Sequence, residues 1–148
     1  DQKEITCYAD VFLEETTQKK YIGISFLTTY DYDLEPSMEL NFQNNESGPS
    51  GGLMLALTIY DKLVEEDITH GLKIVGTGTI DRYGNVGTIG GVKYKLRGAV
   101  ANDADVMLVP MGENYEECKK IQEEEDLDIQ IIGVRTFQEA LDQLASLS

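Results

Sequence analysis

Apolar residues at Ile5, Cys7, Ala9, Val11 and Leu13 alternate with mostly polar or amphipathic neighbours, the period of two expected of a half-buried strand. Tyr21 to Leu27 and Met38 to Phe42 repeat the pattern, while Thr28 to Pro36, rich in Asp, Tyr and Thr, reads as a loop. From Leu53 the period changes. Leu53, Met54, Leu57, Tyr60, Leu63 and Val64 form one helical stripe, which predicts a helix from Ser50 to about Glu66. Pro49 fixes a backbone angle just before it, and Ser50 has the chemistry of a capping residue. Lys73 to Ile80 is then a predicted strand with Gly76 and Gly78 inside it. Glycines in a strand mark places where another backbone comes close, and a substrate strand is one such backbone.

The second half alternates. The pattern predicts a turn over Asp81 to Gly84, a short strand over Val86 to Ile89, and a helix over Gly91 to Asn102 with Val92, Leu96, Ala99 and Val100 facing inward. Strand Val106 to Val109, helix Glu113 to Glu125, strand Ile129 to Val134 and helix Phe137 to Leu144 follow. Strands separated by helices pair in parallel. The expectation is a single α+β domain over residues 1–148, with antiparallel N-terminal strands and a small βαβ-like C-terminal part, and without repeats, linkers or low-complexity segments.

Composition adds limits. With 148 residues, 41% apolar and 26% charged, the chain is long enough for one soluble domain with a real core. The formal charge of −15 argues against nucleic acid, since phosphate binding needs clustered Lys and Arg. The acidic run Glu123 to Asp128 reads as a solvated helix face. Asp31 and Asp33 could bind a cation but fit an exposed acidic loop better. Cys7 and Cys118, with His70 as the one histidine, make no zinc pattern and no disulfide framework, so both read as packing thiols and no metal is expected. No signal peptide or membrane-spanning run is evident. The chain opens at Asp1 and already alternates there, so it reads as a fragment of a longer protein.

The candidate chemistry lies in Gly48-Pro49-Ser50-Gly51-Gly52, directly before the predicted Leu53 helix, and in Gly90-Gly91-Val92-Lys93-Tyr94-Lys95 at the start of another. Small residues around a serine let a carbonyl approach its hydroxyl, and the helix behind it aims N–H groups and partial positive charge at a developing oxyanion. A serine needs a base. His70 follows Asp67 and Thr69 and precedes Gly71, a turn-like surface setting that fits an incidental loop histidine. A lysine serves if its amine is neutral near pH 7, which requires a dry, partly apolar pocket. Lys93 and Lys95 flank the Val92–Leu96–Ala99–Val100 stripe on opposite sides, so the pattern leaves either as the base.

Gly48-Pro49-Ser50-Gly51-Gly52-Leu53 resembles the nucleophile motif of the Lon-type serine-lysine proteases. Gly76-Thr77-Gly78-Thr79-Ile80, Gly84 to Val86 and Ile89-Gly90-Gly91-Val92-Lys93-Tyr94-Lys95-Leu96 resemble the segment that bears their lysine. The family's lysine stands immediately before the leucine of Gly-Gly-x-x-x-Lys-Leu, so the resemblance implies Lys95, 45 positions after Ser50, and not Lys93. It also implies Thr77 as the strand threonine that orients the amine, and backbone N–H groups at or beside Ser50 as the oxyanion hole. The likeness covers roughly Met38 to Pro110 and continues weakly beyond.

The resemblance implies a serine endopeptidase acting on peptides or unfolded proteins, with no cofactor, and with a homo-oligomer as an open alternative. ATP-dependent Lon proteases usually carry Asp before the Gly-Pro-Ser, where this chain has Ser47. That departure and the Gly76 to Asp81 run point to the stand-alone Lon-like proteases that follow a PDZ domain and a membrane anchor, and hence to an extracytoplasmic, membrane-anchored enzyme. An ATP-dependent Lon, cytoplasmic and joined to an ATPase module, is the alternative, although no Walker phosphate loop occurs in these residues. Two rivals stand outside proteolysis. One is a catalytically silent peptide-binding module of the same fold; the other is an anion or nucleotide site at the head of the Leu53 helix, which the acidic balance disfavours.

Overall fold

A computed structural model describes residues 12–13, 16, 20–21 and 48–147. The chain divides into two compact units, residues 1–42 and 43–148. In the first, β1 (Phe12–Leu13) pairs antiparallel with β2 (Lys20–Tyr21), Phe12 opposite Tyr21 and Leu13 opposite Lys20. The expected strand over Met38 to Phe42, the loop over Thr28 to Pro36 with Asp31 and Asp33, and Cys7 lie outside the described residues.

The second unit is organised by a parallel sheet in the order β3 (Ile74–Gly76), β6 (Val106–Pro110), β7 (Gln130–Val134). Between them in the chain lie β4 (Thr79–Ile80) and β5 (Val86–Gly87), an antiparallel pair of their own. Ile74 pairs with Val106 and Val106 with Gln130, so the three strands share one register. Alternation along β6 sends side chains to two faces. Met107 and Val109 join Val92, Leu96 and Ala99 of α2 (Val92–Ala101) and Cys118 of α3 (Glu113–Glu125). Val106 and Leu108 join Leu53 and Leu57 of α1 (Gly52–Leu63) and Ala140 and Leu144 of α4 (Phe137–Ala145). With helices on both faces, every residue of β6 is buried, which explains its unbroken apolar run.

The C-terminal elements follow the sequence expectation closely. Three local expectations differ. The predicted strand Lys73 to Ile80 is two strands in two sheets: after β3 the Thr77 N–H still reaches Leu108 O at 2.9 Å, but Gly78 turns away from the ladder, and its N–H donates to Ser50 O at 2.8 Å. The strand expected over Val86 to Ile89 ends at Gly87, because both backbone groups of Ile89 are bonded to the Asn114 side chain. The helix expected from Ser50 begins as a 3₁₀ turn over Pro49–Gly51 and becomes α-helical at Gly52. Ser50 does not cap it; Gly51 is the N-cap of α1, and no side chain caps the end.

The candidate active site

Ser50 is held from behind by its own carbonyl. That oxygen accepts from Gly78 N at 2.8 Å and from the Thr77 hydroxyl at 3.0 Å, while Leu53 N donates back to Gly78 O at 3.1 Å. The head of α1 and the end of the β3 segment are thus stitched at three points. Gly78 is required there: a Cβ would lie 2.8 Å from Val86 Cγ1, and φ is +156°. Gly76 is equally confined, with a Cβ falling 2.8 Å from Leu108 O and 2.6 Å from Met54 Sδ. The close neighbours at these two glycines are the protein's own chain, not a substrate strand. With its backbone fixed and its side chain not engaged in capping, Ser50 is half-buried.

Lys95 comes from the other side of the sheet. Helix α2 starts at Gly91, whose φ of +68° is a left-handed conformation that favours glycine, and is seated by Val92 and Leu96, both fully buried. That seating brings Lys95 Nζ to 3.3 Å from Ser50 Oγ. Lys93 goes elsewhere, its ammonium 5.0 Å from the centre of the Tyr94 ring. Of the two lysines the pattern left open, the structure brings Lys95 to the serine. Thr77 is fully buried, and its hydroxyl donates to Ser50 O. Lys95 itself is exposed among the described residues. The dry pocket that the sequence argument demanded is therefore not built by residues 48–147.

The remaining candidates separate from the site. His70 is exposed in a turn at φ +53°, where the Asp67 carboxylate accepts from Thr69 N, Thr69 Oγ1 and Gly71 N. Those bonds, the Thr69 hydroxyl first, hold the Asp67 carboxyl below its ordinary range. Cys118 is fully buried in the core, and desolvation pushes its thiol up to about 11, a packing cysteine as expected. Residues 123–126 and 128 of the acidic run are exposed. Among the described residues no group of His, Cys, Asp and Glu could hold a metal ion, and no helix is long and apolar enough to cross a membrane.

One buried residue bonded to the segment that leads into α2 escaped the sequence reading. Asn114 is 6% exposed, and its side chain bonds both backbone groups of Ile89. Its signal was present: with Cys118 and Ile121 it occupies an inward stripe of α3, and a polar residue on such a stripe must find partners.

Residues 44–146 match the Lon protease (S16) C-terminal proteolytic domain. Lon protease 2 of Bacillus subtilis is 34% identical over 116 residues, 77% of this chain and 19% of that protein. The Lon protease of Campylobacter jejuni is 36% identical over 102 residues, 66% of this chain and 12% of that protein. For the Lon protease of Mesomycoplasma hyopneumoniae the figures are 33% over 97 residues, 66% and 11%. The chain thus spans a fifth or less of the relatives it matches. A family match across all of residues 44–146, with a serine and a lysine brought together inside it, leads to one conclusion: the chain belongs to the Lon protease (S16) proteolytic-domain family.

Proposed function

We propose that the chain is the proteolytic part of a serine endopeptidase in which Ser50 is the nucleophile and Lys95 the general base. The 3.3 Å approach of Lys95 Nζ to Ser50 Oγ carries this reading. The Ser50 oxygen attacks the scissile carbonyl carbon as its proton passes to the uncharged Lys95 amine. The C–N bond then breaks as the leaving amine takes the proton from Lys95; water, deprotonated by the same Lys95 amine, attacks the acyl carbon, and the Ser50–acyl bond breaks as Ser50 Oγ takes that proton back. The N–H groups of Ser50 and Gly51 lie in a first helical turn, where backbone geometry offers no intrahelical partner, and they serve as the oxyanion hole. Thr77 steadies Ser50 through its carbonyl. A hydroxyl that donates once retains lone pairs, so Thr77 is also able to accept from Lys95 and orient it.

Because Lys95 is exposed among the described residues, the amine is kept uncharged by what covers it during reaction. A peptide or unfolded segment laid over the dyad expels water and does this. The domain works within a longer protein, as the small share of each relative it spans suggests. Ser47 favours a PDZ-bearing, membrane-anchored protein, and an ATPase module is the alternative. Casein, an unstructured protein, tests the chemistry: Ser50→Ala and Lys95→Ala each abolish its cleavage, and Lys93→Ala spares it. Full activity in Lys95→Ala would reject the base assignment.

A further inference from the structure

Ile89 lies in the segment that leads into α2, where strand pairing has ended, yet neither of its backbone groups is left to solvent. Asn114 Oδ1 accepts from Ile89 N at 2.9 Å and Asn114 Nδ2 donates to Ile89 O at 3.0 Å. One side chain from α3 thus makes the paired contact that a neighbouring strand would have made. Burying an amide is unfavourable unless both ends are bonded, and here both are. Between the clamp and the helix stand only Gly90 and Gly91. Gly90 has nothing within 4 Å of a would-be Cβ, and Gly91 is left-handed. Two residues without side chains have the widest conformational choice of any in the chain, so the clamp at Ile89 supplies the order that they do not. Val92 and Leu96 hold α2 against the sheet, but apolar contacts are non-directional and set its axial position and rotation less sharply than a two-point hydrogen bond does.

We propose that Asn114 is a positioning residue of the dyad: by fixing Ile89 it sets where α2 begins, and so where Lys95 Nζ stands relative to Ser50 Oγ. This rests on the Ser50–Lys95 reading above.

The test compares Asn114→Ala and Asn114→Asp with Ser50→Ala and Lys95→Ala in the intact protein, measuring kcat and KM on a labelled casein peptide across pH. Asn114→Ala is expected to keep the circular dichroism of the wild type while kcat falls about 10²-fold, the scale of a 1 Å misplacement, with KM little changed. Asn114→Asp keeps the acceptor for Ile89 N but regains a donor for Ile89 O only when protonated. Its kcat relative to wild type therefore rises as pH is lowered. A folded Asn114→Ala with unchanged kcat, beside inactive Ser50→Ala and Lys95→Ala, overturns the positioning role and leaves the dyad standing. Cleavage by Ser50→Ala or Lys95→Ala overturns the dyad instead. Should Asn114→Ala not fold, Asn114→Asp decides alone, and a kcat equal to wild type at every pH rejects the proposal.

Discussion

The Thr77 hydroxyl has no solvent to turn to: the residue is fully buried, and its one proton is directed at Ser50 O. Thr77→Val keeps the shape and removes that bond, leaving Ser50 O with Gly78 N as its remaining partner. A loss of about 1 kcal/mol in urea denaturation is expected, with slower casein cleavage, and Thr77→Ser restores both. A Thr77→Val protein as active as the wild type would show that the carbonyl contact does not steady the nucleophile. At this scale the sequence was informative about which residues matter, since Ser50, Thr77 and Lys95 stood out by motif. It was silent on what each touches. A threonine in a strand and a serine before a helix carry the same local signals whether they bond an amine, a carbonyl or water, and only the fold selects the partner.

Among the elements, glycines show where packing forbids a side chain and where it does not. Gly76 lies in β3 with Leu108 O 2.8 Å and Met54 Sδ 2.6 Å from a would-be Cβ, so Gly76→Ala drives a methyl into a neighbouring strand's backbone and lowers stability by about 1–3 kcal/mol. Gly98 lies in α2 with nothing within 4 Å. Its replacement by Ala relieves the entropic penalty of a helical glycine and raises stability by about 0.5–1 kcal/mol. Thermal melts of the two variants should move in opposite directions; a neutral Gly76→Ala would mean that β3 and β6 separate without loss. Element types and most bounds were legible, helix Glu113–Glu125 to the residue, because hydrophobic period is a local property. The break at Gly78 was not, because it depends on Ser50 of the 3₁₀ turn and Leu53 of α1 reaching across to it.

At the scale of the whole second unit, Cys118 reports on global opening. It has no exposed surface, and burial moves its thiol from 9.0 to about 11. The unfolded chain therefore loses this proton first as pH rises. Between pH 9 and 11 the unfolded state binds fewer protons than the folded one, and stability falls by at most about 2–3 kcal/mol. Between pH 9 and 11 the stability of the wild type should fall by up to this amount more than that of Cys118→Ala, and an equal fall would deny the buried thiol. The sequence by itself determined the alternation of strands and helices and the apolar stripes that face the sheet, through spacing along the chain, and Ser50, Thr77 and Lys95 as the candidate chemistry, through motif. Only the tertiary structure showed that Lys95 Nζ lies beside Ser50 Oγ, that Thr77 turns to a carbonyl, and that Asn114 bonds both backbone groups of Ile89. Each is a contact between residues 25 to 45 positions apart. Their meeting is set by how segments distant in the chain pack around a parallel sheet, a geometry that no local pattern encodes.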